Sequence, residues 1–260
     1  MQPYMLNALE VGTIVAVVAG VIGFFVVLRA ASFAAHALSQ IGFAGAAGAV
    51  LLGIGPIFGL VTFALGGAVA MGTIGAKQHR GDAVTALVMT ASLGLGALFL
   101  TLNGTYATSA FALLFGSIVG VSTAQVYATA ALGIIALALV AFTYRPLMFA
   151  SVNEEGALAR GVGLGWLNVL FLLGVAVAAA VTIPSVGALL VFALMIAPPA
   201  AAMLLARTPA AAMLLAVGLN FICCIGGMLV AYATTLPVGF CIAILAATTY
   251  ASARIVVNRR

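Results

Sequence analysis

Charge is what this chain has least of: only 5% of its 260 residues are Asp, Glu, Lys or Arg, where a soluble domain carries about 25%. A soluble fold of this size could not cover its surface with so few charges, and 66% of the residues are hydrophobic. The composition excludes a soluble enzyme or binding module and reads as a polytopic integral membrane protein. Carboxylates are scarcer still, at four. Glu10 and Asp82 fall at the ends of apolar segments, and Glu154 and Glu155 lie in a polar loop. A proton- or sodium-coupled carrier normally carries an acid inside its spans, so this distribution counts against one.

Catalytic motifs are missing as well. There is no G-x-x-x-x-G-K-[ST] and no G-x-G-x-x-G after a strand, so the chain has no P-loop with which to bind ATP. Without His-Glu-x-x-His or Cys-x-x-Cys, zinc and thiol enzyme chemistry lack their parts. The three cysteines (Cys223, Cys224, Cys241) sit in apolar segments and read as small buried hydrophobes. Cys223 and Cys224 are adjacent on a helix and point about 100° apart, which does not suit joint chelation. Residues 1–9 hold no Lys or Arg, so the basic region of a secretory signal is missing and the first apolar segment reads as a retained span. The net charge of +5 implies no nucleic-acid partner, because no basic patch is interleaved with aromatics.

What is present is apolar sequence in lengths that fit a bilayer, where a spanning helix needs about 20 residues. Nine segments qualify: 8–28, 34–54, 57–76, 83–102, 123–143, 164–183, 186–206, 211–234 and 238–257. With the N-terminus outside, all nine basic residues (Arg29, Lys77, Arg80, Arg145, Arg160, Arg207, Arg254, Arg259, Arg260) reach the cytoplasmic side. The opposite side receives Glu10 and no basic residue. That bias sets orientation as N-out and C-in. The segment 109–121 is too short to span and the charge bias leaves no room for a crossing, so a re-entrant or interfacial helix is expected. Gly and Ala are spread through every segment, as close helix packing in lipid requires. The fold class is thus an all-α bundle of eight to nine spans in a single domain, 1–260.

Five features depart from this background. His36 is the only ionisable group well inside a span, and Gln40 follows it by four residues on the same face. Imidazole and an amide oxygen can hold a divalent first-row metal; a histidine hydrogen-bonded between helices fits equally. Asn168 and Asn220 lie in later spans, either as interhelical glue or as pathway lining. His79, in the charged run KQHRGD, reads as a solvated loop residue. Pro184 is expected to open the seventh segment, and Pro198–Pro199 to interrupt it; two prolines remove two amide donors and make either a packing bend or a hinge on a pathway. The stretch 145–163 is the longest cytoplasmic connection, with a short helix expected after Asn153 as N-cap. Glu154 and Glu155 favour its first turn and Arg160 its last.

Four blocks together resemble one family, the membrane permeases of metal-ion ABC importers for zinc, manganese or iron. They are FFVVLRAASFAAHALSQIGFAGAAGAVLLGI at 24–54, ALLFGSIVGVS at 112–122, SVNEEGALARGVG at 151–163 and SVGALLVFALMIAPPAAAMLLA at 185–206. The resemblance implies a type II importer-like fold working as a homodimer with two cytoplasmic ABC ATPase subunits and an extracytoplasmic metal-binding protein. No cofactor is intrinsic to such a chain: the divalent metal is cargo, and ATP is bound by the partner. The block at 151–163 resembles the family's coupling region, which gives Asn153, Glu154, Glu155, Ala157 and Arg160 an ATPase-docking role. Family members commonly carry an Asp, then a His four residues later, along the metal path. Here His36 stands in place of the Asp and Gln40 in place of the His. Loss of the carboxylate weakens manganese more than zinc, so the residues favour zinc. The expected function is an inward metal permease, with Pro198, Pro199 and Asn220 as hinge or pathway residues. The rivals are a permease for a metal chelate (siderophore, haem or cobalamin), an ATP-independent carrier or channel, and a non-transporting scaffold.

The orientation is directly checkable: a reporter fused after Arg260 is expected on the cytoplasmic side of the membrane. Its appearance outside overturns both the N-out topology and the cytoplasmic placement of 145–163.

Overall fold

In this computed structural model the described residues are 3–78, 81–102, 121–234 and 236–259, and among them the chain forms ten helices and no strand. In chain order these are α1 (Pro3–Leu28), α2 (Ser32–Leu51), α3 (Pro56–Gln78), α4 (Gly81–Leu102) and α5 (Thr123–Val152). They continue as α6 (Glu154–Ala159), α7 (Leu164–Val186), α8 (Ala188–Leu205), α9 (Pro209–Thr234) and α10 (Val238–Asn258). Eight are long and apolar enough to cross a membrane, and Leu190–Leu205 of α8 is a shorter apolar helix. The all-α bundle expected from the sequence is the fold observed.

Three boundaries differ from expectation. Helix α5 does not stop at 143 but runs 30 residues to Val152 with Arg145 and Pro146 inside it. At 1.5 Å per residue that is about 45 Å, more than the roughly 30 Å hydrocarbon core, so its last turns stand beyond the bilayer and Arg145 is exposed. Hydropathy ends at the first charge; the helix does not. Its start is locked by a capping box: the Ser122 amide donates to Gln125 Oε1 at 2.9 Å, and the Gln125 amide donates to Ser122 Oγ at 3.3 Å. Second, Pro184 does not open the seventh segment but lies in the last turn of α7. The break falls at Gly187, with φ 92° and ψ 151°, a region open essentially to glycine alone. Third, Pro198 and Pro199 do not interrupt α8, which is helical throughout. The expected re-entrant helix at 109–121, except Val121, and His79 lie outside the described residues.

Uninterrupted helix through two prolines leaves the Leu194 and Met195 carbonyls without their usual amide donors. Both residues are fully buried. Gly23 of α1 lies directly against this point. A Cβ added there would stand 2.5 Å from the Met195 carbonyl oxygen and 2.7 Å from Pro199 Cγ. The missing side chain lets the two backbones meet where the ladder is broken.

Helix α2 occupies the middle of the bundle. It packs against α3, α4, α7 and α8, and every residue from 37 to 49 is buried. Its faces divide: Ile41 and Gly45 meet α3, Ala44 and Gly48 meet α4, and Gly42 meets Ile183 of α7. His36, on the remaining side, is turned to Phe192 of α8.

The contact at Gly23 makes a definite forecast. Gly23→Ala is expected to destabilise the purified protein by about 1–3 kcal/mol through overpacking, read as a lower melting temperature in detergent; an unchanged melting temperature would refute the close approach.

Candidate functional site

His36 and Gln40 lie one and two turns into α2. Gln40 is buried and His36 half-buried. The imidazole packs edge-on against Phe192 of α8, with ring centroids 4.9 Å apart and planes at 67°. Its Nδ1 is buried without a hydrogen-bond partner. A buried ring nitrogen without a partner loses its hydration for nothing in return, unless another species occupies it part of the time. Among the described residues no three of His, Cys, Asp and Glu come together. The pair offers one ring nitrogen and one amide oxygen.

Phe192 was not legible as a site residue in the sequence. Its signal lies in spacing: it precedes Pro199 by seven residues, which on a helix places the two on nearly one face, about 20° apart. Met195 lies between them on that stripe. Thus a single line of α8 covers His36 of α2 through Phe192, and Gly23 of α1 through Met195 and Pro199. Pro198 and Pro199 are both buried. Of the two, Pro199 faces Gly23 of α1.

Asn220 is not brought to this pair. Helix α9 packs on α1, α8 and α10, and the face that holds Asn220 also holds Val217, whose backbone lies against Gly20 of α1. Asn220 is fully buried; its Nδ2 donates to the Ala216 carbonyl at 3.2 Å, and its Oδ1 has no partner.

On the cytoplasmic side the six-residue α6 is closed at both ends. Asn153 Oδ1 accepts from the Gly156 amide at 2.8 Å, the N-cap expected from the sequence. At the other end Gly161 takes φ 78°, and the Val162 amide reaches back to the Ala157 carbonyl at 3.0 Å, a Schellman closure. Arg160 lies over the Phe149 ring, 5.0 Å from its centroid. Ala157 is completely buried. It seats the helix on the bundle. Exposed here are Asn153, Glu154, Glu155 and Arg160, together with Val152 and Leu158, two apolar residues that sequence reasoning missed.

Behind α6 lies a cavity of about 630 Å³, lined in part by Arg29, Ser151, Glu154, Gly165 and Asn168. Arg29 Nη1 donates to Ser151 Oγ at 3.3 Å, and its guanidinium lies 5.2 Å from the centroid of the Phe171 ring. Burial pushes the Arg29 guanidinium below its ordinary value, while the Glu154 carboxylate pulls it back up.

With this geometry in place, the sequence pattern of the ABC 3 transport family matches residues 1–257. The chain belongs to that family. Similar proteins include the manganese import system permease protein ScaB of Streptococcus parasanguinis, 27% identical over 248 residues that make up 95% of this chain and 88% of the relative. Another is the manganese transport system membrane protein MntC of Halalkalibacterium halodurans, 27% identical over 252 residues, 96% of this chain and 86% of that one. Among solved structures, PsaBC from Streptococcus pneumoniae in complex with Fab superposes with a TM-score of 0.84 at 25% identity, covering 96% of this chain and 91% of its counterpart. The chain is a multi-pass ABC transport permease, and its relatives place it with metal-ion transport.

The unpartnered oxygen of Asn220 gives a test of structural roles. Asn220→Leu keeps the volume and removes a buried polar group, so stability is expected to hold or rise by about 1 kcal/mol, read by thermal unfolding in detergent. A loss of several degrees means the amide has a partner in the assembled permease.

Proposed function

We propose that this ABC permease is the membrane subunit of an ATP-driven importer for a divalent transition-metal ion in the bacterial plasma membrane, with manganese as the favoured cargo. The observation that carries this reading is the His36–Gln40 pair: two metal-capable donors on one face of the central helix, one with a buried nitrogen that has no partner. The manganese permeases to which the chain is similar support the choice of ion. That likeness favours manganese, where donor chemistry alone favoured zinc. The amide oxygen of Gln40 suits a hard ion such as manganese, and the imidazole suits most of the first row. A pair without a carboxylate holds an ion weakly, as a conduit must if the ion is to leave.

In this reading no bond of the substrate is made or broken. His36 and Gln40 contact the ion in transit, and the edge of Phe192 must move aside for it. Two copies of the chain form the pathway, an extracytoplasmic protein delivers the metal, and a separate ABC ATPase hydrolyses ATP. That ATPase docks on the exposed face of α6, where Glu155, Val152 and Leu158 supply one charge and two apolar contacts. The buried face, through Ala157, carries the displacement inward.

The test uses a host deficient in metal uptake that expresses the permease with its ATPase and binding protein. Cell-associated metal is then measured by elemental mass spectrometry. Manganese is expected to rise with the wild type and to rise at least about tenfold less with His36→Ala, the loss of one ligand. A rise in zinc or iron instead reassigns the cargo. Equal rises in wild type and variant remove His36 from the path. A rise without the ATPase overturns the ABC reading in favour of a carrier or channel, and no rise of any free ion points to a chelate.

A further inference from the structure

We propose that Arg29 is the positioning residue that couples α6 to α2: its guanidinium clamps the elbow between α5 and the docking helix to the turn from which the His36 helix departs. This inference rests on the importer reading above and adds to it a relay between the two ends of the mechanism.

The connection between α1 and α2 has no slack. Only Arg29, Ala30 and Ala31 separate the two helices. The Ala30 amide donates to the Val27 carbonyl at 3.1 Å and the Ala31 amide to the Val26 carbonyl at 2.9 Å, while the Ala31 carbonyl already accepts from Ala35 at 3.0 Å. Ala30 takes φ 53°, the only positive value at a non-glycine position among the described residues. Such a conformation persists in an alanine only where its surroundings hold it. A displacement of Arg29 is therefore a displacement of the first turn of α2, and His36 begins the second.

Three separate elements hold the guanidinium. Ser151, in the last turn of α5, accepts its hydrogen bond. Phe171, seven residues into α7 and buried, lies beneath it; at 1.5 Å per residue this is about 10 Å along that helix, so the cation is drawn into the bundle instead of resting at its edge. Glu154, first residue of α6, favours its charge across the cavity. Ser151 lies two residues before Asn153 and Glu154 one residue after it, so a movement of that elbow under a docked partner shifts both. The third belongs to a long, largely buried helix and stays. A basic residue that served only to fix orientation at the membrane face would be solvated. This one is stacked and hydrogen-bonded, and the fixed plane of a guanidinium makes those interactions together in a way an ammonium cannot. The cavity beside it leaves room for the elbow to move.

The experiment uses the complete complex, permease with ATPase and binding protein, in proteoliposomes. Mn²⁺ entry and phosphate release are measured in the same vesicles for wild type, Arg29→Gln, Arg29→Lys and Phe171→Leu. A coupling residue moves the ratio of the two readouts, which a purely structural defect does not, because misfolding lowers both together. The expected result is a rise of about tenfold in ATP hydrolysed per Mn²⁺ imported for Arg29→Gln, and a smaller rise for Arg29→Lys and Phe171→Leu, within the usual range of site-to-site coupling. Phe171→Leu keeps the charge in place and carries the test if Arg29→Gln fails to assemble. An unchanged ratio in variants beside an active wild type overturns the relay alone. A wild type that hydrolyses ATP but imports no Mn²⁺ overturns the manganese reading, and the same ratio is then taken with Zn²⁺ or Fe²⁺. A wild type that imports none of these takes the importer reading and the relay down together.

Discussion

Inside a bilayer no water is available to satisfy a backbone amide or carbonyl that the protein leaves free, and the architecture of this chain follows from where it breaks that rule. Helices meet the demand by themselves, which is why ten of them and no strand make up the described residues. Two of the places where the ladder is disturbed are built around compensation. Gly187 takes a backbone conformation that only glycine holds at ease, and it resets the chain between α7 and the short α8. The carbonyl opposite Pro199 faces Gly23, whose bare Cα lets α1 close over it. Both devices lie on α8, the helix that also covers His36.

Helix α8 is thus constrained on one stripe and broken just before it. Phe192, Met195 and Pro199 run along the seam between α1 and α2, so the residue that caps the histidine and the residues that seat against α1 cannot move independently. A short helix behind a glycine joint can shift as a body in a way that a helix of full span cannot. The two unpartnered buried atoms among the described residues, His36 Nδ1 and Asn220 Oδ1, lie on helices that α8 touches. Unsatisfied polar atoms are costly in hydrocarbon, and both stand next to the element best able to move.

At the cytoplasmic side the same economy of charge operates. Of thirteen charged residues in the whole chain, nine basic and four acidic, two with opposite sign, Arg29 and Glu154, line one cavity behind α6. Burial pushes the Arg29 guanidinium below its ordinary value, and the Glu154 carboxylate acts in the opposite direction. The α6 helix is only six residues long, and its shape comes from caps: Asn153 at one end and the left-handed Gly161 at the other. A helix closed in this way moves as a rigid unit, and Ala157 beneath it fixes which face is hidden.

Hydropathy determined, from the sequence alone, that this is a bundle of membrane-spanning helices, because a bilayer tests every span for length; the bias of the charges predicts an N-out, C-in orientation. Local chemistry was equally legible: Asn153 as an N-cap and the common face of His36 and Gln40 follow from residues three or four apart. The ends of α5 and α7 were not, since a hydropathy pattern stops at Arg145 and reads Pro184 as a start, whereas a helix continues through both if its neighbours support it. Sequence also held no sign that Phe192 would lie on His36, that Gly23 would meet Met195, or that Arg29 would stack on Phe171. Those pairs are separated by more than 140 residues and have no periodicity to betray them. Which helices become neighbours is settled by how small residues let backbones approach, and that is decided only when the whole bundle is packed.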